Sequence, residues 1–308
     1  MRRVVVTGAT SMLGTALIEV CIRENIEILA IVRENSLRLK RLPQSDLVKV
    51  MECPLEHLDK LYDFAEHCKR YDVFYHFAWD YAGKQYRDNP TLQEMNIKST
   101  LDAVKLAQKL GCKKFIGAGS QAEYGYVEGI IDEKTPVSPN SAYGIAKYAA
   151  GRLSGKLCEE YEITHIWARI FSVYGKNDNE GTMINYAIDQ FLNNEKAVFT
   201  AGTQMWDYLF EKDAGVIFYK LGMNVCENKV FRIASGKSMP LKWYIEEIRN
   251  GIGWLTECEY ENKENSPLLG FQVNTEDLEK LINYKAEISF TEGIKDVVEY
   301  RKKLKSKK

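Results

Sequence analysis

Arg3-Val4-Val5-Val6-Thr7-Gly8-Ala9-Thr10-Ser11-Met12-Leu13-Gly14 is the stretch whose reading decides the fold. Residues 3–7 form a short β-branched run that stops at Thr7-Gly8, and residues 12–24 carry Leu13, Leu17, Val20 and Cys21 at helical spacing. Strand, glycine turn and helix make one unit. At such a junction the free backbone N–H groups and the positive end of the helix dipole can hold a pyrophosphate. Gly8 permits the sharp turn, and Gly14 lets the helix lie close to the sheet.

Working outward, the same alternation continues. Ile28–Val32 reads as a second strand, Val48, Val50 and Met51 as a third, residues 57–67 as a helix and Val73-Phe74-Tyr75 as a fourth strand. Residues 91–110 form a long amphipathic helix closed by Gly111; Phe115–Ala118 is a fifth strand, 141–161 a helix and Ile166–Ile170 a sixth strand. Apolar strands alternating with helices predict an α/β fold, a doubly wound parallel sheet. After Gly175 helical patterns near 182–193, 212–222, 241–250, 275–283 and 291–303 are broken by strands near 197–200 and 230–234 and by an irregular polar stretch at 259–266. We therefore expect a dinucleotide-binding domain over 1–175, with segments returning near 197–235. A smaller, mostly helical substrate-binding lobe over 176–308 is expected to interweave with it, leaving a cleft where a substrate binds.

Composition narrows the function. Among 308 residues, 42 Lys and Arg balance 43 Asp and Glu, so no basic footprint for nucleic acid is present, and Arg301–Lys308 reads as a solvated tail. Seven cysteines, at 21, 53, 68, 112, 158, 226 and 258, are scattered without a Cys-x-x-Cys pair, which argues against disulfides and a metal site and for reduced thiols in the cytoplasm. No apolar run reaches the length of a signal peptide or a membrane span.

Tyr143 and Lys147 are four residues apart in a predicted helix and so share one face. A phenol beside an ammonium favours its ionised form and can exchange a proton with an alcohol, which suits hydride transfer.

With these motifs in view, the chain resembles the extended short-chain dehydrogenase/reductase family, the nucleotide-sugar epimerases, dehydratases and ketoreductases built on a Rossmann sheet. The family's Thr-Gly-x-x-Gly-x-x-Gly fingerprint is matched by Thr7–Gly14, with Ser11 in place of the middle glycine. The resemblance implies that Gly8, Thr10, Ser11, Met12, Leu13 and Gly14 bind the cofactor. Arg33, at the end of the second strand, stands where NAD-specific folds place an acidic residue. With Ser36 and Arg38 it favours NADP over NAD.

Leu55 is implied to touch the adenine, and Phe77 and Ala78, in His76-Phe77-Ala78, to line the cofactor; His76 itself reads as a packed or hydrogen-bonding residue. Phe171 and Val173 lie in the segment implied to meet the nicotinamide. Ser120, Tyr143 and Lys147 match the catalytic triad, Lys147 also binding the nicotinamide ribose, and Asn96 matches a position that supports the lysine or a relay water.

The dehydratases' acid/base pair is replaced by Gln121 and Ala122, which excludes loss of water by that route. Ser172 and Trp206 stand where the family commonly places an Asn and an Arg on the substrate diphosphate. Trp79, Gln121, Ser172 and Trp206 are the candidate substrate contacts. The resemblance implies an NADP-dependent reductase of a nucleotide-activated 4-keto-6-deoxy sugar. A nucleotide-sugar 4-epimerase holding NAD tightly is the alternative, and an NADP-sensing module without turnover a remote one, since such modules tend to lose the Tyr and Lys kept here. A homodimer through the Tyr-Lys helix and the long helix beside it is also implied.

Overall fold

The computed structural model describes residues 1–224, 227–253, 258–261 and 270–306. Strand β1 (Arg3–Thr7) turns through Gly8 into helix α1 (Met12–Arg23), followed by β2 (Glu27–Val32), β3 (Val48–Glu52), α2 (Tyr62–Glu66), β4 (Val73–His76), α3 (Pro90–Lys109) and β5 (Lys114–Ser120). Next come β6 (Ile130–Ile131), α4 (Ala142–Glu160), β7 (Thr164–Ile170), β8 (Ser172–Tyr174), α5 (Met183–Leu192), β9 (Val198–Thr200), β10 (Met205–Phe210), α6 (Glu211–Met223) and β11 (Lys229–Ile233). The chain ends with β12 (Ser238–Pro240), α7 (Leu241–Ile252), β13 (Glu259–Glu261), β14 (Gln272–Val273), α8 (Glu276–Ile282) and α9 (Phe290–Lys305).

Seven parallel strands form the central sheet in the order β11-β7-β5-β4-β1-β2-β3. Because successive side chains alternate across a strand, Val4 and Val6 join the core on one face of the sheet, while Val5 joins a second core on the other. The apolar runs read from the sequence are thus strands covered on both sides. The order reverses between β1 and β4, and the crevice at such a switch point is where open α/β sheets take ligands. A third core, from Tyr174 to Val298, joins α5, α7 and α9 with β9 and β10. It is less purely helical than expected, because small sheets β12-β10-β8 and β13-β9 support it, while β14-β6 serves a separate small cluster with Tyr124, Phe171 and Phe271.

Three local expectations are corrected. Residues 57–67 are not one helix: a 3-10 segment at Leu55–Leu61, with His57 outside helical geometry, runs into the short α2. Residues 259–261, expected to be irregular, pair with β9, and residues 262–269 of that stretch lie outside the described residues. The helix expected near 291–303 runs on to Lys305, through exposed residues read as a solvated tail; Arg301 pairs with Asp189, and the Lys305 ammonium donates to Asn193.

Two contacts tie the return of the chain to the first half. Lys114 at the start of β5 donates to the carbonyls of Leu221 (2.8 Å), Gly222 (3.0 Å) and Asn224 at the C-terminal end of α6, where a cation suits the helix dipole. Gly215 brings α6 so close to α1 that a Cβ there would lie 2.6 Å from the Ala16 carbonyl oxygen. Among the described residues no helix is long and apolar enough to cross a membrane.

Candidate functional site

The β1–α1 turn is shaped by backbone sterics. Gly8 has φ +67°, and a Cβ on it would sit 2.7 Å from the Ala78 nitrogen; one on Gly14 would sit 2.4 Å from the Gly8 carbonyl oxygen. Ser11 fits the middle position because its backbone is extended (φ −74°, ψ 166°) and needs no glycine. Its hydroxyl caps α1 by accepting from the Gly14 N–H at 3.1 Å.

The turn opens on a cavity that brings together Gly8, Thr10, Ser11, Arg33, Leu55, Phe77, Ala78 and Trp79, with Arg38 and Asp80 added. Other expected cofactor contacts stand outside its wall. Leu13 and Val173 pack against the main core, Gly14 is pressed on Gly8, Phe171 is buried among Tyr124, Ala234 and Phe271, and Ser36 accepts the Arg38 N–H; Met12 begins α1 beside the turn. Arg33 lies 3.6 Å from Asp80, and Arg38 is held below its ordinary pKa by burial and then by Arg41 and Arg33. His76 is a buried, hydrogen-bonding ring: Nδ1 pairs with Thr7 at 2.8 Å, Nε2 lies 3.4 Å from Thr100, and burial and then Lys147 lower its pKa to about 3.

Ser120, Tyr143 and Lys147 do not line this cavity; they lie behind Trp79, whose ring stands edge-on to Tyr143 with 5.9 Å between centroids. Ser120 ends β5, and Tyr143 and Lys147 lie in the first turns of α4, whose N-terminus is capped by Ser141. Tyr143 and Lys147 are buried. Burial pushes the Tyr143 phenol above its ordinary pKa, against a hydrogen bond with Ser120 and the Arg87 charge, which lower it. The simple expectation that the neighbouring lysine acidifies the phenol is therefore corrected for the free protein: desolvation dominates.

Lys147 donates to the Ala118 carbonyl at 2.7 Å and sits 3.7 Å from the Trp79 ring centroid; burial lowers its pKa to about 7, opposed by Glu123. Glu123 serves the scaffold. Fully buried, it accepts from the Ser120 N–H (2.8 Å), the Trp167 indole (2.9 Å) and Arg169 (2.8 Å), so it faces away from any substrate.

Asn96 is engaged with the loop before α3. Its amide donates to the Asp80 and Leu92 carbonyls and accepts from the Asp80 N–H at 2.8 Å, holding a loop and making no contact with Lys147. Gln93, one turn earlier on α3, does likewise: it accepts from the Trp79 indole at 2.9 Å and donates to the Tyr81 and Tyr86 carbonyls. The sequence reading passed over Gln93 and Arg87. Gln93 had a signal, a second amide three residues before Asn96 on the same helix face; Arg87 had none.

Toward the C-terminal lobe, Ser172 and Trp206 meet each other. The Trp206 indole donates to the Ser172 hydroxyl at 2.8 Å across the β8–β10 pair, and its ring stands edge-on to Phe271. The Gln121 side-chain oxygen is buried without a hydrogen-bond partner, as is that of Gln204.

The NAD dependent epimerase/dehydratase family model matches residues 4–234, and the chain belongs to that family of enzymes. A putative UDP-glucose 4-epimerase of Methanocaldococcus jannaschii is 24% identical, with 97% of this chain and 98% of that protein covered. The CDP-abequose synthase of Salmonella muenchen is 24% identical over 96% of this chain and 97% of its own length. Among solved structures, the UDP-glucose 4-epimerase of Thermotoga maritima with UDP-glucose superposes with a TM-score of 0.88 at 21% identity, covering 98% of this chain and 99% of that one.

The residues present fit a dinucleotide: a main-chain cradle that a Cβ at Gly8 would fill lies on a cavity walled by apolar side chains and two arginines.

Proposed function

We propose that the protein is a reductase acting on a nucleotide-activated 4-keto-6-deoxy sugar, with NADP as coenzyme. When bound, the coenzyme supplies hydride chemistry at the sugar carbon. Tyr143 gives its phenolic proton to the carbonyl oxygen as that oxygen gains charge, and the Ser120 hydroxyl orients it. Lys147 keeps a positive charge behind the phenol and serves the coenzyme ribose. Gln121, with its oxygen unpartnered, offers an acceptor to a sugar hydroxyl.

The observation that carries this reading is the grouping of Ser120 with the buried Tyr143 and Lys147 directly behind Trp79, a wall residue of the cavity on which the Gly8 turn opens. Arg33 and Arg38 beside the adenosine end support NADP, since a cation suits a 2′-phosphate. The neutral Trp206–Ser172 pair supports a substrate held by stacking and hydrogen bonds more than by a charged grip on its diphosphate.

A second reading, 4-epimerisation with retained NAD, is favoured by the 4-epimerases among the full-length relatives. Mass spectrometry of co-purifying small molecules, followed by assays with 4-keto nucleotide sugars, separates the two. Net oxidation of added NADPH supports the reductase. Tightly bound NAD with interconversion of 4-epimers, and no need of added coenzyme, supports the epimerase and sinks the first reading.

A further inference from the structure

The loop between β4 and α3 arches over the reacting end and is fixed from below by the buried amides of Gln93 and Asn96. It is joined to α4 as well: the Tyr143 N–H donates to the Arg87 carbonyl at 2.8 Å, and the Ala142 N–H lies 3.4 Å from the Asp88 carboxylate. Arg87 is thereby held over the phenol. Its guanidinium carbon is 4.7 Å from the Tyr143 ring centroid, and its Nε donates to the Ala82 carbonyl at 3.1 Å. The Lys147 ammonium is farther from that centroid, at 5.8 Å, and is engaged with Ala118 and Trp79.

A phenolate spreads its charge into the ring, so a cation over the ring favours it more than it favours the neutral phenol. We propose that Arg87 is a positioning residue for Tyr143, the nearest cation to its ring and one that, together with Lys147, eases loss of its proton. This rests on Tyr143 being the acid/base group of the proposed reaction.

The other groups that face the phenol act beside Arg87. Ser120 contributes a hydrogen bond, Lys147 is held by other partners, Glu123 opposes ionisation but is neutralised by Arg169, and Asp88 on the loop is turned to the start of α4. The direction of the Arg87 effect on Tyr143, downward, agrees with the geometry.

The test places 3,5-difluorotyrosine, a more acidic phenol, at position 143 and follows its ionisation by ¹⁹F NMR in otherwise wild-type, Arg87→Gln and Arg87→Lys proteins, each with and without saturating NADP⁺. We expect Arg87→Gln to raise the phenol's pKa by about one unit and Arg87→Lys to restore more than half of that shift. Equal titration of the wild-type and Arg87→Gln proteins overturns the inference, as does a loss in Arg87→Lys equal to that in Arg87→Gln. The titration needs no turnover, so failure with every 4-keto nucleotide sugar would remove the proposed function and leave this measurement to decide on Arg87 separately.

Discussion

At the end of the cleft proposed to take the pyrophosphate and adenosine, the decisive wall is main chain: the Gly8 turn, the first turn of α1 and the backbone of Phe77-Ala78, each within a Cβ's reach of the next. At the reacting end the wall is side chains, Trp79 under Lys147, Arg87 over Tyr143, and Gln93 and Asn96 beneath the loop that carries them. The first end tolerates almost no added atom but is indifferent to most side-chain chemistry. The second depends on charge and hydrogen bonding and has room to change shape. Substitutions at the two ends should therefore fail in different ways.

The sharpest break is expected at the reacting end. Tyr143→Phe removes the proton donor and should lower turnover by about 10²–10⁴-fold while coenzyme affinity, measured by calorimetry, stays within a few-fold. A variant with near wild-type turnover would assign the proton to another group. Behind that surface, Glu123→Gln weakens the pairing of a buried carboxylate with Arg169 and should destabilise the fold by about 3–5 kcal/mol in denaturant unfolding. Loss of activity without loss of stability would mean that Glu123 acts in the reaction and not in the scaffold.

At the adenosine end, Gly8→Ala must adopt φ +67° with its Cβ against the Ala78 nitrogen. It should destabilise by about 1–3 kcal/mol and weaken coenzyme binding, with Tyr143 chemistry intact at saturating coenzyme. Arg33→Asp should change little but preference, moving it from NADPH toward NADH by about tenfold, or about 1.4 kcal/mol. Unchanged preference would remove Arg33 from coenzyme recognition.

A pH dependence, not a substitution, concerns His76 beneath the turn. With a folded pKa lowered to about 3, its ¹⁵N shifts should remain those of a neutral ring at pH 5. Since the unfolded histidine takes up a proton below about 6.5, the stability His76 contributes is present above that pH and is lost as the pH falls toward 3.

The same contrast explains what was legible in the sequence. The parallel sheet and the Gly8 turn could be read because β-branched runs, helical spacing and a glycine at φ +67° follow from local sterics. Tyr143 and Lys147 could be read because a helix fixes which residues share a face.

The rest required tertiary contacts. Nothing local tells that Asn96 holds Asp80, that Trp79 lies under Lys147, or that Ser172 and Trp206, each read alone as an altered position, bond to each other. The short strands β8, β10 and β12 escaped for a related reason. Too brief to show alternation, they exist because of their mutual pairing, Tyr208 opposite Ser172 and Trp206 opposite Met239.

The near-contact of Gly215 with Ala16 reaches beyond packing. β10, which bears Trp206, runs directly into α6, and α6 is pressed against α1, whose first turn faces the dinucleotide side. Trp206 and the Gly8 turn are thus linked through α6 and α1, main chain against main chain. The segment bearing Trp79 and Arg87 is joined to α3 by a different kind of contact, the side-chain amides of Gln93 and Asn96.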